Sequence, residues 1–314
     1  MKQLFAAILS VFVIQAHAWP TKPVKIIAPF APGGTADTLG RLVAQKLSEQ
    51  LKGTFVVENR GGAGGVVGSE LVAKAPADGY TLVVSGIASH VIAPILQQGT
   101  PYDPLADFTH VALFGGPPAV LAVHPSVEAK DLREFVALAK KKPLSYGSPG
   151  NGTQGQLVAE LFKQRAGINL QHVPYKGASQ AVTDLIAGHI PAVSTTLTTA
   201  ASQIRAGRAR GLAISAAARL PEFPDIPTYR EMGYPDLVAT VWFSLSGPAN
   251  MPEDVVTRLN AEVNRALEQP DVRERLKPEG IVPTPMGARE FSAFVAEELR
   301  RWRPVVQASG AKTD

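Results

Sequence analysis

The chain has 314 residues, of which 45% are hydrophobic and 18% are charged, with a formal net charge of +4 and no cysteine. The lack of cysteine excludes disulfides and thiol chemistry. The basic residues are spread singly except at 140–142 and 300–303, where solvated helix faces are the usual explanation, so nucleic acid is not an expected partner. Because one hydrophobic core rarely grows beyond about 250 residues, we expect two lobes.

The first 18 residues have the pattern of a secretory signal peptide. A basic residue near the start precedes the apolar stretch from Leu4 to Ile14, and Ala16-His17-Ala18 matches the small-x-small pattern of a cleavage site. We predict cleavage after Ala18 and a periplasmic location. A membrane anchor is the alternative, but the apolar stretch is shorter than the ~20 residues that span a bilayer.

Strand and helix patterns alternate between residues 24 and 215, which predicts an α/β fold with mainly parallel sheets flanked by helices. Helical spacing of apolar residues is present at 39–51, 157–162 and 180–187. The predicted strands lie at 24–30, 55–57, 80–85, 144–148, 172–174, 192–195 and 211–214. Two further amphipathic helices are predicted at 252–268 and 288–302.

We expect these last two helices to cover the sheet of the first lobe, which makes that lobe discontinuous. Lobe 1 is then formed by residues 19–122 and 243–314, and lobe 2 by residues 123–242, with a ligand cleft between them. The chain would cross between the lobes twice and so form a hinge. The 26 prolines favour stiff connections at these crossings.

The segment that follows the first predicted strand has the pattern of an anion-binding turn. Phe30-Ala31-Pro32-Gly33-Gly34 leads into a helix, and the unpaired N–H groups at a helix start bind anions with the help of the helix dipole. The alternative is an ordinary turn in which Thr35 or Asp37 caps the helix. A similar glycine turn at 148–153 favours the anion site, because ligands in open α/β sheets lie at the carboxyl ends of strands.

Catalytic, metal and cofactor sites are not predicted. The glycine run 61–68 has Val67 where the dinucleotide fingerprint requires its third glycine, so we interpret it as a structural turn. Serine does not occur in a G-x-S-x-G pattern, and an exported hydrolase is a less favoured alternative. Metal-ligand spacing is absent among the histidines that follow the signal peptide, at 90, 110, 124, 172 and 189.

Taken in order, several segments resemble the Bug-type (TctC) solute-binding proteins of tripartite tricarboxylate transporters. They are PFAPGG at 29–34, VENR at 57–60, DGYTL at 78–82, YGS at 146–148, VPYKG at 173–177 and PDIPT at 224–228. The resemblance implies a periplasmic-binding-protein-like (Venus flytrap) fold that closes on a small carboxylated solute. It also implies membrane permease subunits as partners, and we expect a monomer that needs no cofactor.

The resemblance further implies that main-chain amides and hydroxyl groups of the two turns hold the ligand. Carried over by position, the ligand-binding residues of the first lobe are Phe30, Ala31, Pro32, Gly33, Gly34 and Asp37. Those of the second lobe are Ser148, Gly150, Gly152, Thr153 and Gln156. Further candidates for the cleft walls are Ser85, Ser89, Thr195 and Thr196.

Two positions depart from the family pattern. Gln156 stands where the family usually has histidine, so this side chain cannot become cationic. Pro191 stands where the family usually has aspartate, which removes an acid and a backbone donor. Both departures bear on the identity of the ligand rather than on the function. A sensor subunit with the same pocket and a signalling kinase as partner is the alternative that the sequence leaves open.

Overall fold

The computed structural model describes residues 19–30, 32, 35–97, 99–175, 177–239 and 241–308, without the side chain of Glu279. The predicted signal peptide and Ala31, Gly33 and Gly34 of the first turn lie outside the described residues. Among the helices within these ranges, none is long and apolar enough to cross a membrane.

The described residues form ten strands and ten α-helices, together with a few shorter helical turns. The strands are β1 Val24–Ala28, β2 Phe55–Asn59, β3 Thr81–Gly86, β4 Phe108–Gly115, β5 Ala119–Val123, β6 Leu144–Ser148, β7 Leu170–Pro174, β8 Ala192–Thr196, β9 Arg210–Ile214 and β10 Phe243–Pro248. The helices are α1 Thr35–Leu51, α2 Val66–Ala73, α3 Ala93–Leu96, α4 Leu132–Lys141, α5 Gln154–Ala166, α6 Ala178–Ile186, α7 Leu197–Arg205, α8 Glu253–Glu268, α9 Pro270–Leu276 and α10 Ala288–Ala308.

The two lobes have equivalent sheets. The strand order is β2-β1-β3-β10-β4 in the first and β7-β6-β8-β5-β9 in the second. In each sheet the first three strands pair in parallel, and one strand, β10 or β5, runs antiparallel to both of its neighbours. The predicted α/β fold with two lobes is confirmed, and each sheet is mixed because of that one strand.

The chain passes from the first sheet to the second between Gly115 and Ala119. The boundary predicted after residue 122 therefore differs from the structure, because it falls inside β5, which pairs along its whole length with β8. Residues 119–123 are almost fully buried, since a central strand is covered on both faces. The sequence pattern of such a strand is a plain apolar run, which does not by itself place a lobe boundary.

The C-terminal helices pack in two places. Helix α8 lies in the core of the first lobe together with α1. Helix α10 contacts β4 in the first lobe and α5 in the second, and its buried side chains belong to an apolar cluster that includes residues of both lobes. The carboxylate of Glu298 on α10 accepts hydrogen bonds from the indole N–H groups of Trp242 (2.9 Å) and Trp302 (3.1 Å). Helix α10 is therefore anchored to Trp242, the residue directly before β10.

Candidate ligand site between the two lobes

The candidate site is next to the contact between the turn that follows β6 and the first lobe. Gly152 follows β6 in the second lobe, and Leu96 ends α3, which follows β3 in the first lobe. A Cβ atom added at Gly152 would lie 2.7 Å from Leu96 Cδ1 and 3.7 Å from Ile92 Cγ2. The second turn is therefore in contact with the segment that follows β3 in the first lobe.

In the first lobe, Asp37 and Asn59 fix the start of α1. The Asn59 side-chain amide donates to Phe30 O (3.1 Å) and to Asp37 Oδ1 (2.9 Å). Arg41 Nε donates to Asp37 Oδ2 (3.1 Å). Asp37 is buried, whereas Phe30 is half-buried and Pro32 is exposed. The Asp37 carboxylate thus holds the segment after β1 against the first turn of the helix.

In the second lobe, hydrogen bonds within the turn occupy the N–H groups of both glycines. Gly150 N–H donates to Ser148 Oγ (3.2 Å), and Gly152 N–H donates to Gln156 Oε1 (2.7 Å). The Thr153 hydroxyl donates to Gly150 O (2.7 Å). The glycine N–H groups and the Gln156 side chain shape the turn in this structure, and their contacts with a ligand stay a prediction. Gly150 and Gly152 have φ of 136° and 70°, which favours glycine at both positions.

The main-chain N–H groups at the start of α5 remain available to a ligand. The helix begins at Gln154, and its first main-chain hydrogen bond runs from Leu157 N to Thr153 O (3.0 Å). The N–H groups of residues 154–156 precede that bond, so the helix itself gives them no acceptor. Thr153 occupies the N-cap position but makes no side-chain cap hydrogen bond. These buried amides, with the helix dipole behind them, suit a carboxylate.

Two buried polar side chains next to these amides have no partner among the described residues. They are Gln154, in which neither amide atom is hydrogen-bonded, and Thr195, whose hydroxyl is likewise unpaired. Both are nine-tenths or more buried. Gln154 precedes Gly155 on α5, and Thr195 follows Ser194 on β8. The Ser194 hydroxyl donates to Gly155 O (2.6 Å), so this hydrogen bond joins the two elements. A buried polar group without a partner costs about 1–3 kcal/mol, so both groups are suited to a bound ligand.

Thr195 was among the predicted residues, whereas Gln154 was not. The sequence signal that could have indicated Gln154 is its place directly after the N-cap residue, where its own N–H is one of the unpaired donors.

The other predicted wall residues make contacts within the protein. The Ser85 hydroxyl is fully buried in the first sheet, 2.6 Å from Ser244 Oγ and 2.7 Å from Ser246 Oγ. Ser89 is also fully buried, and its Oγ lies 3.0 Å from His90 Nδ1. Thr196 Oγ1 accepts a hydrogen bond from the Thr198 hydroxyl and lies 3.0 Å from Thr199 Oγ1. Ser85 therefore supports the sheet beneath the cleft.

Two buried histidines of the first lobe, His90 and His110, are uncharged at neutral pH. Burial lowers the pKa of His110 to about 4, although its hydrogen bond with the Pro104 carbonyl raises it. Burial, followed by the nearby His110, lowers the pKa of His90 well below its ordinary value. Within the described ranges, His, Asp and Glu side chains form no group of three or more that could hold a metal ion. The geometry is suited to binding an anion with neutral groups.

A family model described as "Tripartite tricarboxylate transporter family receptor" matches residues 39–311. The chain belongs to this family. Its members are solute-binding receptors rather than enzymes, so the resemblance and the function class predicted from the sequence are confirmed.

The similarity to known relatives covers nearly the whole length of this chain. Protein BugT of Bordetella pertussis is 35% identical over 302 residues, which cover 95% of this chain and 93% of BugT. The structure of R. palustris Rpa4515 with adipate is 33% identical, with a TM-score of 0.82 over 94% of this chain and 99% of that one. MatC from Rhodopseudomonas palustris with bound malate is 34% identical, with a TM-score of 0.77 over 92% and 100% of the two chains. Both solved neighbours hold dicarboxylates.

Proposed function

We propose that this receptor captures a small carboxylated solute in the cleft and delivers it to the permease subunits of a tripartite tricarboxylate-type transporter. It does so in the periplasm, after cleavage following Ala18. The observation that carries the proposal is the uncapped start of α5, where three buried N–H groups adjoin the unpaired side chains of Gln154 and Thr195. The adipate and malate held by two neighbours support a carboxylate as the solute.

The ligand is held by neutral groups in this proposal. The N–H groups of residues 154–156 receive one carboxylate, and the amides of Gly33 and Gly34 in the first lobe, which lie outside the described residues, stay predicted contacts to it. Gln154 and Thr195 supply hydrogen bonds to another polar group of the solute. Because the donors belong to two lobes, a bound ligand links them and stabilises the closed arrangement.

A thermal-shift screen of small carboxylates on the purified protein without residues 1–18 tests this function. A ligand that binds only the folded state stabilises it by RT ln(1 + [L]/Kd), which is about 2.7 kcal/mol at a hundredfold excess over Kd. We expect at least one mono- or dicarboxylate to raise the melting temperature by several degrees, and neutral sugars to leave it unchanged. A panel in which no carboxylate shifts the melting temperature would argue against the function.

Replacing Thr195 by valine has opposite expected effects on stability and on binding. Valine has nearly the same shape and removes a buried hydroxyl without a partner, so the melting temperature without ligand stays the same or rises. Affinity for the carboxylate identified in the screen falls about tenfold, which corresponds to the loss of one hydrogen bond of ~1.4 kcal/mol. The matched control is Thr183→Val on the exposed face of α6, which leaves the affinity unchanged. Unchanged affinity in Thr195→Val would remove Thr195 from the site.

A further inference from the structure

His172 on β7 connects both glycines of the second turn through its two ring nitrogens. Its Nε2 lies 2.6 Å from Ser148 Oγ, and its Nδ1 lies 3.3 Å from Gln156 Nε2. Ser148 Oγ accepts the N–H of Gly150, and Gln156 Oε1 accepts the N–H of Gly152. One imidazole ring therefore completes a continuous hydrogen-bond network around the turn.

The direction of each hydrogen bond follows from a group that can only donate, the main-chain N–H of Gly152. Because this N–H faces Gln156, the atom that it meets is the amide oxygen, and the amide NH₂ therefore points to His172. Nδ1 of His172 must then accept, which places the ring proton on Nε2. From there it donates to Ser148 Oγ, and the Ser148 hydroxyl donates to Gly150 O at 3.1 Å.

We propose that neutral His172, as the Nε2–H tautomer, is a positioning residue that holds the second turn in its ligand-binding shape, and that protonation of His172 releases the turn. A histidinium ring carries a proton on Nδ1 as well, so it would meet the Gln156 NH₂ as donor against donor. If the Gln156 amide turned over to accept from Nδ1, its NH₂ would face the N–H of Gly152 instead. Either arrangement breaks one bond of the network.

This inference rests on the proposed function, because that function assigns a ligand to the start of α5, which directly follows the turn. Its consequence is that the turn is ordered for a carboxylate only while His172 is uncharged. Acidification would therefore weaken capture through the shape of the site, in addition to any protonation of the solute itself.

Burial of the ring favours its neutral form, and the two nearby charges act in opposite directions. Tyr146 on β6 stacks on the ring with centroids 5.1 Å apart and donates to Glu160 Oε1 on α5 (2.7 Å). Glu160 also pairs with Lys163 (2.6 Å). Burial lowers the pKa of His172; the Glu160 charge raises it and the Lys163 charge lowers it. Burial raises the pKa of Tyr146, so its phenol stays neutral.

The sign of the pH dependence follows from this lowered pKa. The unfolded chain protonates His172 near its ordinary value of about 6.5, whereas the folded chain protonates it at lower pH. The contribution of the network to stability is therefore complete above pH ~6.5 and is lost as the pH falls through the folded pKa.

The test is nuclear magnetic resonance on the protein without residues 1–18. Because no ligand is added, a negative result contradicts the role of His172 and leaves the proposed function untouched. At pH 8 we expect the imidazole ¹⁵N shifts of His172 to show the Nε2–H tautomer. As His172 becomes protonated, the hydrogen-exchange protection factors of the Gly150 and Gly152 amides should fall at least tenfold. An Nδ1–H tautomer, or protection that stays constant while His172 titrates, would overturn the inference.

Two variants distinguish a positioning role of His172 from an unspecific effect of low pH on the protein. Gln156→Glu offers an acceptor to both Gly152 N–H and Nδ1–H, so it should raise the pKa of His172 and keep Gly152 protected at the pH at which the wild type loses this protection. His189→Gln removes an exposed histidine of the same lobe and should leave the wild-type pH profile unchanged. If Gln156→Glu loses protection at the same pH as the wild type, the network does not act through His172.

Discussion

Glu298→Ala is expected to destabilise the protein by about 3–5 kcal/mol, because it removes the acceptor of two buried indole N–H groups. The Glu298 side chain is only 7% exposed, so water does not readily replace its carboxylate. Trp242 and Trp302 are at most 1% exposed, and each N–H would remain buried without a partner. Thermal unfolding followed by calorimetry should show a melting temperature lower by at least about 6 °C.

The adjacent residue provides the control for this experiment. Glu297 is on the exposed side of the same helical turn and pairs only with Arg300 in the described part of the chain. Arg300 lowers the pKa of the Glu297 carboxyl through a hydrogen bond, but the pair is open to solvent and is screened. Glu297→Ala should therefore leave the melting temperature nearly unchanged. Equal effects of the two substitutions would contradict the anchoring role of Glu298.

Gly155→Ala is expected to reduce affinity for the carboxylate about 100-fold. A Cβ atom at this position would overlap the main-chain carbonyl oxygen of Ser194 and would lie 3.1 Å from Pro149 Cδ. The start of α5 must then move away from β8, which displaces the N–H groups of residues 154–156. Losing two charge-assisted hydrogen bonds of about 1.5 kcal/mol each corresponds to this change in Kd. Isothermal titration calorimetry with the carboxylate from the screen measures it.

Gly287→Ala is the matched control, because nothing lies within 4 Å of a Cβ atom at that position. It should bind the carboxylate as tightly as the wild type does. Circular dichroism on both variants separates a local shift of α5 from loss of the fold. If folded Gly155→Ala retained wild-type affinity, the start of α5 would not be the ligand site.

The sequence was informative wherever local chemistry decides the structure. Helix α5 ends at Gly167, which adopts φ of 61°, and a glycine after an amphipathic pattern indicates such an end. Strand β6 was predicted with its observed bounds, since a short run between turn residues is typical of a buried strand. The strand-to-helix turn of the second lobe could also be found, because Gly150 and Gly152 mark positions that need special backbone conformations.

What could not be predicted depends on contacts between distant segments. Ser85 was predicted for the cleft wall, but β10 places Ser244 opposite it in the sheet. The serines at 244 and 246 interrupt the apolar pattern of β10 and so hide the burial of that strand. The N–H groups of Gly150 and Gly152 appeared free because local sequence does not show that His172 and Gln156 complete a network around them. Gln154 was overlooked because its burial results from tertiary packing.

Calorimetric titration of a dicarboxylate and of its diamide into the wild-type protein tests most directly whether the start of α5 binds a carboxylate. Adipate and malate are the first probes, followed by the other carboxylates that raise the melting temperature in the screen. The amides at the start of α5 and the helix dipole favour a negative oxygen, so we predict that the acid binds and that the diamide binds at least 100-fold more weakly. Equal affinity for the acid and the diamide would contradict a carboxylate site at α5.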